Sequence, residues 1–297
     1  MSEEVIYCPI CQKTGFTLFL NVKDYFLTKE IFSIYKCDNC GFKFISPRPD
    51  NGEINRYYQS DEYISHDSKK TSLLSQIYKF ARKFSIKSKY KIVRKYIQAG
   101  KILDIGCGTG EFLNYCKSKG FDITGVEPSE KAGSYAQQVN NVPVIRKLTD
   151  LKPIEYSFDC ITMWHVLEHI HDLNDTITLV KRLLAVNAVL VVAVPNCDSW
   201  DAQKYSNFWA AYDVPRHLYH FNGSTLSQLV SNHGFEILKV IPQKLDAFYV
   251  SMLSEKYQSG RINYLKSFFF GFWSNFQARK FGRGYSSQIF ILSVKKS

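Results

Sequence analysis

The chain has no run of about 18 apolar residues, so nothing in it reads as a membrane-spanning helix. It lacks a Gly-Lys-Ser/Thr triplet, which excludes a Walker-type phosphate loop. Internal repeats and low-complexity tracts are absent. The opening Met1-Ser2-Glu3-Glu4 is acidic and leads directly to Cys8, so no signal peptide is expected and a cytoplasmic protein with reduced thiols is. Acidic residues are missing between Ser68 and Leu103, a stretch that holds 11 Lys or Arg residues. The other 27 basic residues match 27 acidic ones, so this one segment carries the whole net charge of +11. A patch so local suits an anionic substrate, a phosphate-rich membrane surface or RNA, or else it is a solvated helix face. What remains is ordinary: 297 residues, 45% hydrophobic and 22% charged, enough to bury a sizeable core.

The eight cysteines divide evenly. Cys8-Pro9-Ile10-Cys11 and Cys37-Asp38-Asn39-Cys40 are two Cys-x-x-Cys turns, each able to aim two thiolates at one ion. Together they complete a tetrahedral S4 set, which Zn2+ accepts without geometric penalty. Pro9 and Gly41 supply the tight turns. With four thiolates and no open position, such a site is structural. Cys107, Cys116, Cys160 and Cys197 lie among apolar residues and read as small buried hydrophobes.

A proline-punctuated linker, Ser46-Pro47-Arg48-Pro49-Asp50, closes the cysteine module at residues 1–50. Residues 51–99 read as a helical, basic lead-in or lid. Beyond Lys101 strands alternate with helices. Strands are expected at Lys101–Ile105, Asp122–Val126, Val142–Ile145, Phe158–Met163 and Ala188–Val194, and a final pair at Phe235–Ile241 and Gln288–Lys295. That order predicts an α/β domain over 100–297, a doubly wound, mostly parallel sheet.

The first strand ends in Asp104-Ile105-Gly106-Cys107-Gly108-Thr109-Gly110. Glycines suit a loop that a ligand and the next helix both approach closely. Glu111 stands where a dinucleotide fingerprint needs its third glycine, which argues against NAD or FAD. Asp104 and, one strand later, Glu127 place a carboxylate on each side of the loop. These residues resemble motif I of class I S-adenosylmethionine-dependent methyltransferases. Gly125-Val126-Glu127-Pro128-Ser129 resembles their acidic second motif, and Phe158-Asp159-Cys160-Ile161 through His165-Val166-Leu167-Glu168-His169 their fourth-strand motif. With the cysteine module in front, the chain is similar to zinc-ribbon-bearing methyltransferases of sugar and polysaccharide biosynthesis, including nucleotide-sugar C-methyltransferases. The resemblance implies a seven-stranded Rossmann-like sheet. It also implies cofactor contacts at Asp104, Gly106, Cys107, Gly108, Gly110, Glu127, Pro128, Trp164 and His165.

Methyl transfer needs an aligned acceptor and, for a hydroxyl or carbon acid, a base. Candidate bases fall in two places. In His165-x-x-Glu168-His169 the spacing puts three side chains on one face of a helix. They could serve in catalysis, in capping and ion pairing within a structural turn, or as metal ligands; the run resembles the Glu-x-x-Glu-His of ubiquinone-pathway O-methyltransferases, with His165 replacing the first Glu. The second place is Asp213–Phe221. By resemblance to the sugar C-methyltransferases His217 is the candidate base there, and Arg216 is a candidate for binding a substrate phosphate or carboxylate; the other reading is that both merely close the loop. Tyr63 and His66 are candidates for a lid.

Near the end Leu265, Phe268, Phe269, Phe272, Trp273 and Phe276 recur at helical spacing, within a segment, 246–281, placed before the last strand. A core-facing or dimer-forming helix is expected; the alternative is an interfacial helix over 262–280 on an anionic membrane. The reading is a methyltransferase of a small or lipid-linked sugar or related metabolite. Its rivals are an RNA or protein methyltransferase docking through the basic segment, and an O-methyltransferase of a quinone-like lipid. Nucleic acid is disfavoured as a partner because no Asn/Asp-Pro-Pro-Tyr amine-acceptor motif is present.

Overall fold

The computed structural model describes residues 2–58, 73–151, 157–282 and 284–295. The lid candidates Tyr63 and His66 lie outside the described residues. The N-terminal module starts with β1 (Ser2–Glu3). It continues through β2 (Phe16–Lys23), β3 (Ile31–Cys37) and β4 (Lys43–Ile45), an antiparallel meander, to β5 (Arg48–Pro49), which pairs back with β1. Asp24 shapes the turn after β2: its carboxylate accepts from the amides of Phe26, Leu27 and Thr28.

Of the helix expected over the lead-in, the described residues form a 3₁₀ turn at Ile54–Tyr58 and α1 (Leu73–Val93). The central sheet then follows: β6 (Lys101–Ile105), α2 (Glu111–Lys117), β7 (Asp122–Val126), α3 (Glu130–Gln138), β8 (Val144–Ile145), β9 (Phe158–Trp164), α4 (Leu173–Leu183) and β10 (Leu184–Pro195). After α5 (Trp200–Tyr205) and β11 (Tyr219–His220) come α6 (Gly223–Asn232), β12 (Phe235–Pro242), α7 (Asp246–Ser259), α8 (Tyr264–Phe281) and β13 (Ser287–Val294). The seven sheet strands run in the order β12-β13-β10-β9-β6-β7-β8. β13 runs antiparallel to the other six. Ala188–Val194 is buried throughout, as a strand covered by helices on both faces must be, and this explains its unbroken apolar run. The chain crosses from one side of β6 to the other after β8, so the crevice at the carboxyl ends of β6 and β9 is the topological switch point.

The N-terminal module does not stand apart. Its meander takes β11 as a further strand, through Tyr219 opposite Phe44 and His220 opposite Lys43. Cys8, Ile10, Cys37, Phe42 and Phe44 share one apolar core with Leu103, Met163 and Leu190 of the sheet. Asn174 and Asn232 donate to the carbonyls of Pro9 and Ile10 in the first cysteine turn.

The aromatic helix corrects one expectation. Of the core-facing or dimer-forming readings of α8, the first fails for most of the stripe: Leu265, Phe268, Phe269 and Phe272 are exposed. Phe270 packs inward on Trp200 and Tyr205, and the buried residues are Ser267, Gly271, Ser274 and Ala278. Ser274 Oγ donates to buried Asp201 at 2.7 Å, and Asp201 also accepts from Trp209 Nε1 and Ser286 Oγ. Among the described residues, no helix is long and apolar enough to cross a membrane.

Candidate active site

Each glycine of the loop after β6 meets a different demand. All three have positive φ: 72° at Gly106, 55° at Gly108 and 76° at Gly110. A Cβ on Gly106 would lie 2.4 Å from Val166 Cγ2, and one on Gly110 would lie 2.9 Å from both Ala136 Cβ and Val142 Cγ2. A Cβ on Gly108 would meet nothing within 4 Å, so that side of its backbone borders open space that a ligand can fill. Cys107 turns its thiol back toward Gly125, where an added Cβ would come within 2.5 Å of its Sγ. The residue therefore offers the crevice only its backbone, and burial pushes its thiol up and keeps it inert.

Two carboxylates flank the loop. Asp104 is buried at the end of β6 and accepts from Thr162 Oγ1 at 2.6 Å. Burial pushes its carboxyl up to about 7, against the Thr162 hydrogen bond and the nearby Lys89 ammonium. Glu127 accepts from the Gly108 amide through Oε2 and from the Ser129 amide through Oε1, both at 2.9 Å, so the loop itself fixes its orientation. Exposed Pro128 leads the chain away from this carboxylate. Trp164 packs edge-on against Phe112, and its buried Nε1–H has no hydrogen-bond partner among the described residues. An open cradle at Gly108, an orphaned indole donor and two carboxylates are features a polar ligand would satisfy.

Sequence reasoning missed three of the groups that complete this wall. Lys89 of α1 stands over the Trp164 ring at 4.8 Å, and burial holds its ammonium below the usual lysine range. Arg82 pairs with Glu111 at 2.6 Å and donates to Thr109 Oγ1. Asp246 opens α7 and lies 3.4 Å from His165 Nε2. Arg82 and Lys89 belong to the basic segment read as a lead-in or lid, within which nothing in the charge pattern set these two residues apart from their neighbours.

His165, Glu168 and His169 meet, but not on a helix. β9 ends at Trp164, and His165 still donates its N–H to Ala193 O while its φ of 57° turns the chain. Leu167–His169 is one 3₁₀ turn. Burial opposes a charge on His165, yet contacts with Asp246 and with Glu168, the latter at 3.5 Å, carry its pKa up to about 10. Placed between two carboxylates, its imidazole favours the charged form, which suits it to orienting Glu168 and Asp246 better than to accepting a proton. His169 is the opposite case: burial and neighbouring His217 push it down to about 4, and its Nδ1 donates to Arg216 O. Both oxygens of fully buried Glu168 lack a hydrogen-bond partner among the described residues.

The second segment reaches the same place. His217 packs edge-on against His169 with ring centroids 4.6 Å apart. Its Nδ1 donates to Ala211 O at 2.8 Å, which leaves the lone pair on Nε2. Glu168, His169 and His217 each bring a ligand-type atom within 4.8 Å of the others; His165 is not part of that trio. Arg216 is corrected from the anion-binding role. It is 2% exposed, bidentate to Asp213, bonded to Asp24 and to Tyr57 O, and stacked over Phe26. No face of the guanidinium is left for a substrate.

At the other end of the module, the sulfurs of Cys8, Cys11, Cys37 and Cys40 lie within 4.8 Å of one another, with Cys8–Cys40 and Cys11–Cys37 at 3.5 Å. Sulfurs around a tetrahedral Zn2+ sit roughly 3.8 Å apart, so the set fits the ion.

Comparison with known proteins agrees with this geometry. A family described as "Methyltransferase domain" matches residues 73–240. YqeM of Bacillus subtilis, a protein named as a methyltransferase, is 32% identical over 114 residues. That match covers 34% of this chain and 46% of YqeM, so the chain spans about half the length of this relative. The carboxy-S-adenosyl-L-methionine synthase of Campylobacter hominis is 23% identical over 215 residues, covering 64% of this chain and 91% of that protein. Among solved structures, an S-adenosylmethionine-dependent methyltransferase of Methanosarcina mazei superposes with a TM-score of 0.50 at 18% identity, over 69% of this chain and 98% of its own; this likeness concerns the fold alone.

Proposed function

The chain belongs to the methyltransferase-domain family, and from that premise we propose that it transfers a methyl group from S-adenosylmethionine to a small or lipid-linked acceptor, a sugar, nucleotide sugar or related metabolite. The sulfonium cofactor supplies an activated methyl group when bound. Asp104 faces its cationic amino acid end, Glu127 takes the ribose hydroxyls, and the Gly108 backbone leaves room for the chain between them. Trp164 Nε1–H, orphaned and buried, donates to the adenine or methionine part. The observation that carries the acceptor side is the tautomer of His217. With Nδ1–H bound to Ala211 O, Nε2 is the ring nitrogen left to take a proton; Asp213, 4.0 Å away, and Glu168 close by stabilise the imidazolium that forms.

Arg82 and Lys89 engage the crevice wall, which supports a small acceptor over an RNA docked on the basic segment. The sugar class rests on the likeness to zinc-ribbon-bearing methyltransferases of sugar biosynthesis. In this reading Cys8, Cys11, Cys37 and Cys40 hold a structural Zn2+, which fixes the module that supports Arg216 and β11.

The test is His217→Ala, assayed for transfer of labelled methyl to a panel of nucleotide and lipid-linked sugars. Turnover falls about 10²–10⁴-fold while cofactor affinity is retained. Full activity in this variant removes the base role, and salt-dependent RNA methylation by the wild type removes the small-acceptor reading.

A further inference from the structure

Helix α8 is built inside out. Leu265, Phe268, Phe269 and Phe272 are 87%, 66%, 56% and 58% exposed, whereas the face toward the protein carries Ser267, Gly271, Ser274 and Ala278, with half-buried Phe270 packed on Trp200 and Tyr205 at its edge. The arrangement is held from within. Gly271 passes so close to α7 that a Cβ on it would lie 2.6 Å from the Phe248 ring and 2.8 Å from the Phe248 Cα, and Ser274 is tied to buried Asp201. Turning the aromatics inward would force large rings into a contact sized for a hydrogen atom. The outward rings also order one another: Phe268 packs on Phe248 at 5.2 Å, Phe269 stacks on Trp273 at 6.1 Å, and Trp273 meets Phe276 at 5.2 Å. Leu245, Tyr249 and Tyr264 add further exposed apolar surface on the same helix pair. A contiguous apolar patch of this kind marks a surface that something covers.

The charges say what covers it. Between Lys244 and Gly282 the acidic residues are Asp246 and Glu255. Asp246 faces His165, and Glu255 is buried and paired with Lys266 at 3.0 Å. The exposed charges are Lys244, Lys256, Arg261, Lys266, Arg279 and Lys280, all positive. A two-fold contact with a second copy would set this cationic collar against itself. A surface rich in anionic headgroups complements it, with the rings entering the interface and the lysine and arginine heads reaching the phosphates.

We propose that the α7–α8 hairpin docks this protein on an anionic lipid bilayer, lying in the interface plane rather than crossing it. The inference stands apart from the methyl-transfer reading, because neither the exposed rings nor the cationic collar belongs to the crevice.

The test is sedimentation of the full chain with phosphatidylglycerol–phosphatidylcholine vesicles and with phosphatidylcholine vesicles alone, beside its oligomeric state in solution. Binding to the anionic vesicles only, reduced by added salt, is expected. The triple variant Phe268→Ser/Phe269→Ser/Phe272→Ser should weaken it at least about tenfold. These side chains are more than half exposed, so the variant should still melt in one cooperative transition and keep the cofactor-induced thermal shift, which shows that it is folded. Absence of binding to anionic vesicles, equal binding to neutral ones or unchanged binding by the triple variant overturns the proposal. So does a wild-type dimer that the same substitutions dissociate, since the face would then belong to a second copy.

Discussion

Arg216 and Asp24, separated by 192 positions, meet at 2.9 Å with both side chains buried. The guanidinium also holds Asp213 in a bidentate pair, so one arginine joins the turn after β2 to the loop that presents His217. The two carboxylates accordingly titrate below the usual range, and Arg216 above its own. Asp213 sits at the loop's left-handed bend with φ 37°, which makes its anchoring a condition for the position of His217.

Removing that cation should therefore be costly. Arg216→Ala leaves Asp24 and Asp213 facing each other in a buried site and is expected to cost about 3–5 kcal/mol in chemical denaturation. Arg216→Lys keeps the charge but loses the fork and should fall between. If Arg216→Ala instead kept wild-type stability and only weakened acceptor binding, the residue would be a substrate contact after all.

The cysteine set yields a second expectation. Purified protein should contain one zinc per chain, and Cys8→Ser should lose it. Because Cys8 and Cys37 share a core with Leu103 and Met163, the loss should be felt in the central sheet. A single cooperative transition lowered by about 5 °C or more is expected in calorimetry. Unchanged zinc content and melting temperature would dismiss the metal.

Asp104 sets a pH dependence. Its carboxyl, raised to about 7 in the free protein, binds a proton more tightly folded than unfolded. It therefore weakens the fold as pH rises from the ordinary carboxylate range through about 7. The cationic end of S-adenosylmethionine favours the ionised form, so cofactor affinity should climb between about pH 6 and pH 8 with uptake of cofactor releasing a proton. Isothermal titration in buffers of differing ionisation enthalpy measures both. Asp104→Asn should flatten the profile; an affinity that fell with pH would contradict the assignment.

The legible parts of this molecule were those written in local chemistry. Ala188–Val194 read as a buried strand because covered strands are continuously apolar, and the glycine loop with Asp104 and Glu127 resembled a methyltransferase motif, in agreement with the family the chain belongs to. What failed needed tertiary geometry. His165, Glu168 and His169 suggested a helix by spacing, whereas the positive φ of His165 and a 3₁₀ turn gather them. Arg216 resembled an anion binder because nothing local shows that Asp24 would reach it. The rings of α8 repeat as a buried stripe repeats, and only the fit of Gly271 against Phe248 shows which side faces in. Lys89 and Asp246 come from elements far from the motifs; the first is one of many lysines in a basic segment and the second had no signal, and only the fold brings them to Trp164 and His165.

The central claim is that the crevice between Asp104 and Glu127 binds S-adenosylmethionine, and isothermal titration tests it most directly. The account predicts one site per chain for S-adenosylmethionine, no binding of NAD, and an affinity reduced about tenfold to a hundredfold in Glu127→Ala, which loses the acceptor for both ribose hydroxyls. Binding of NAD in place of S-adenosylmethionine, or S-adenosylmethionine affinity untouched by Glu127→Ala, would contradict it.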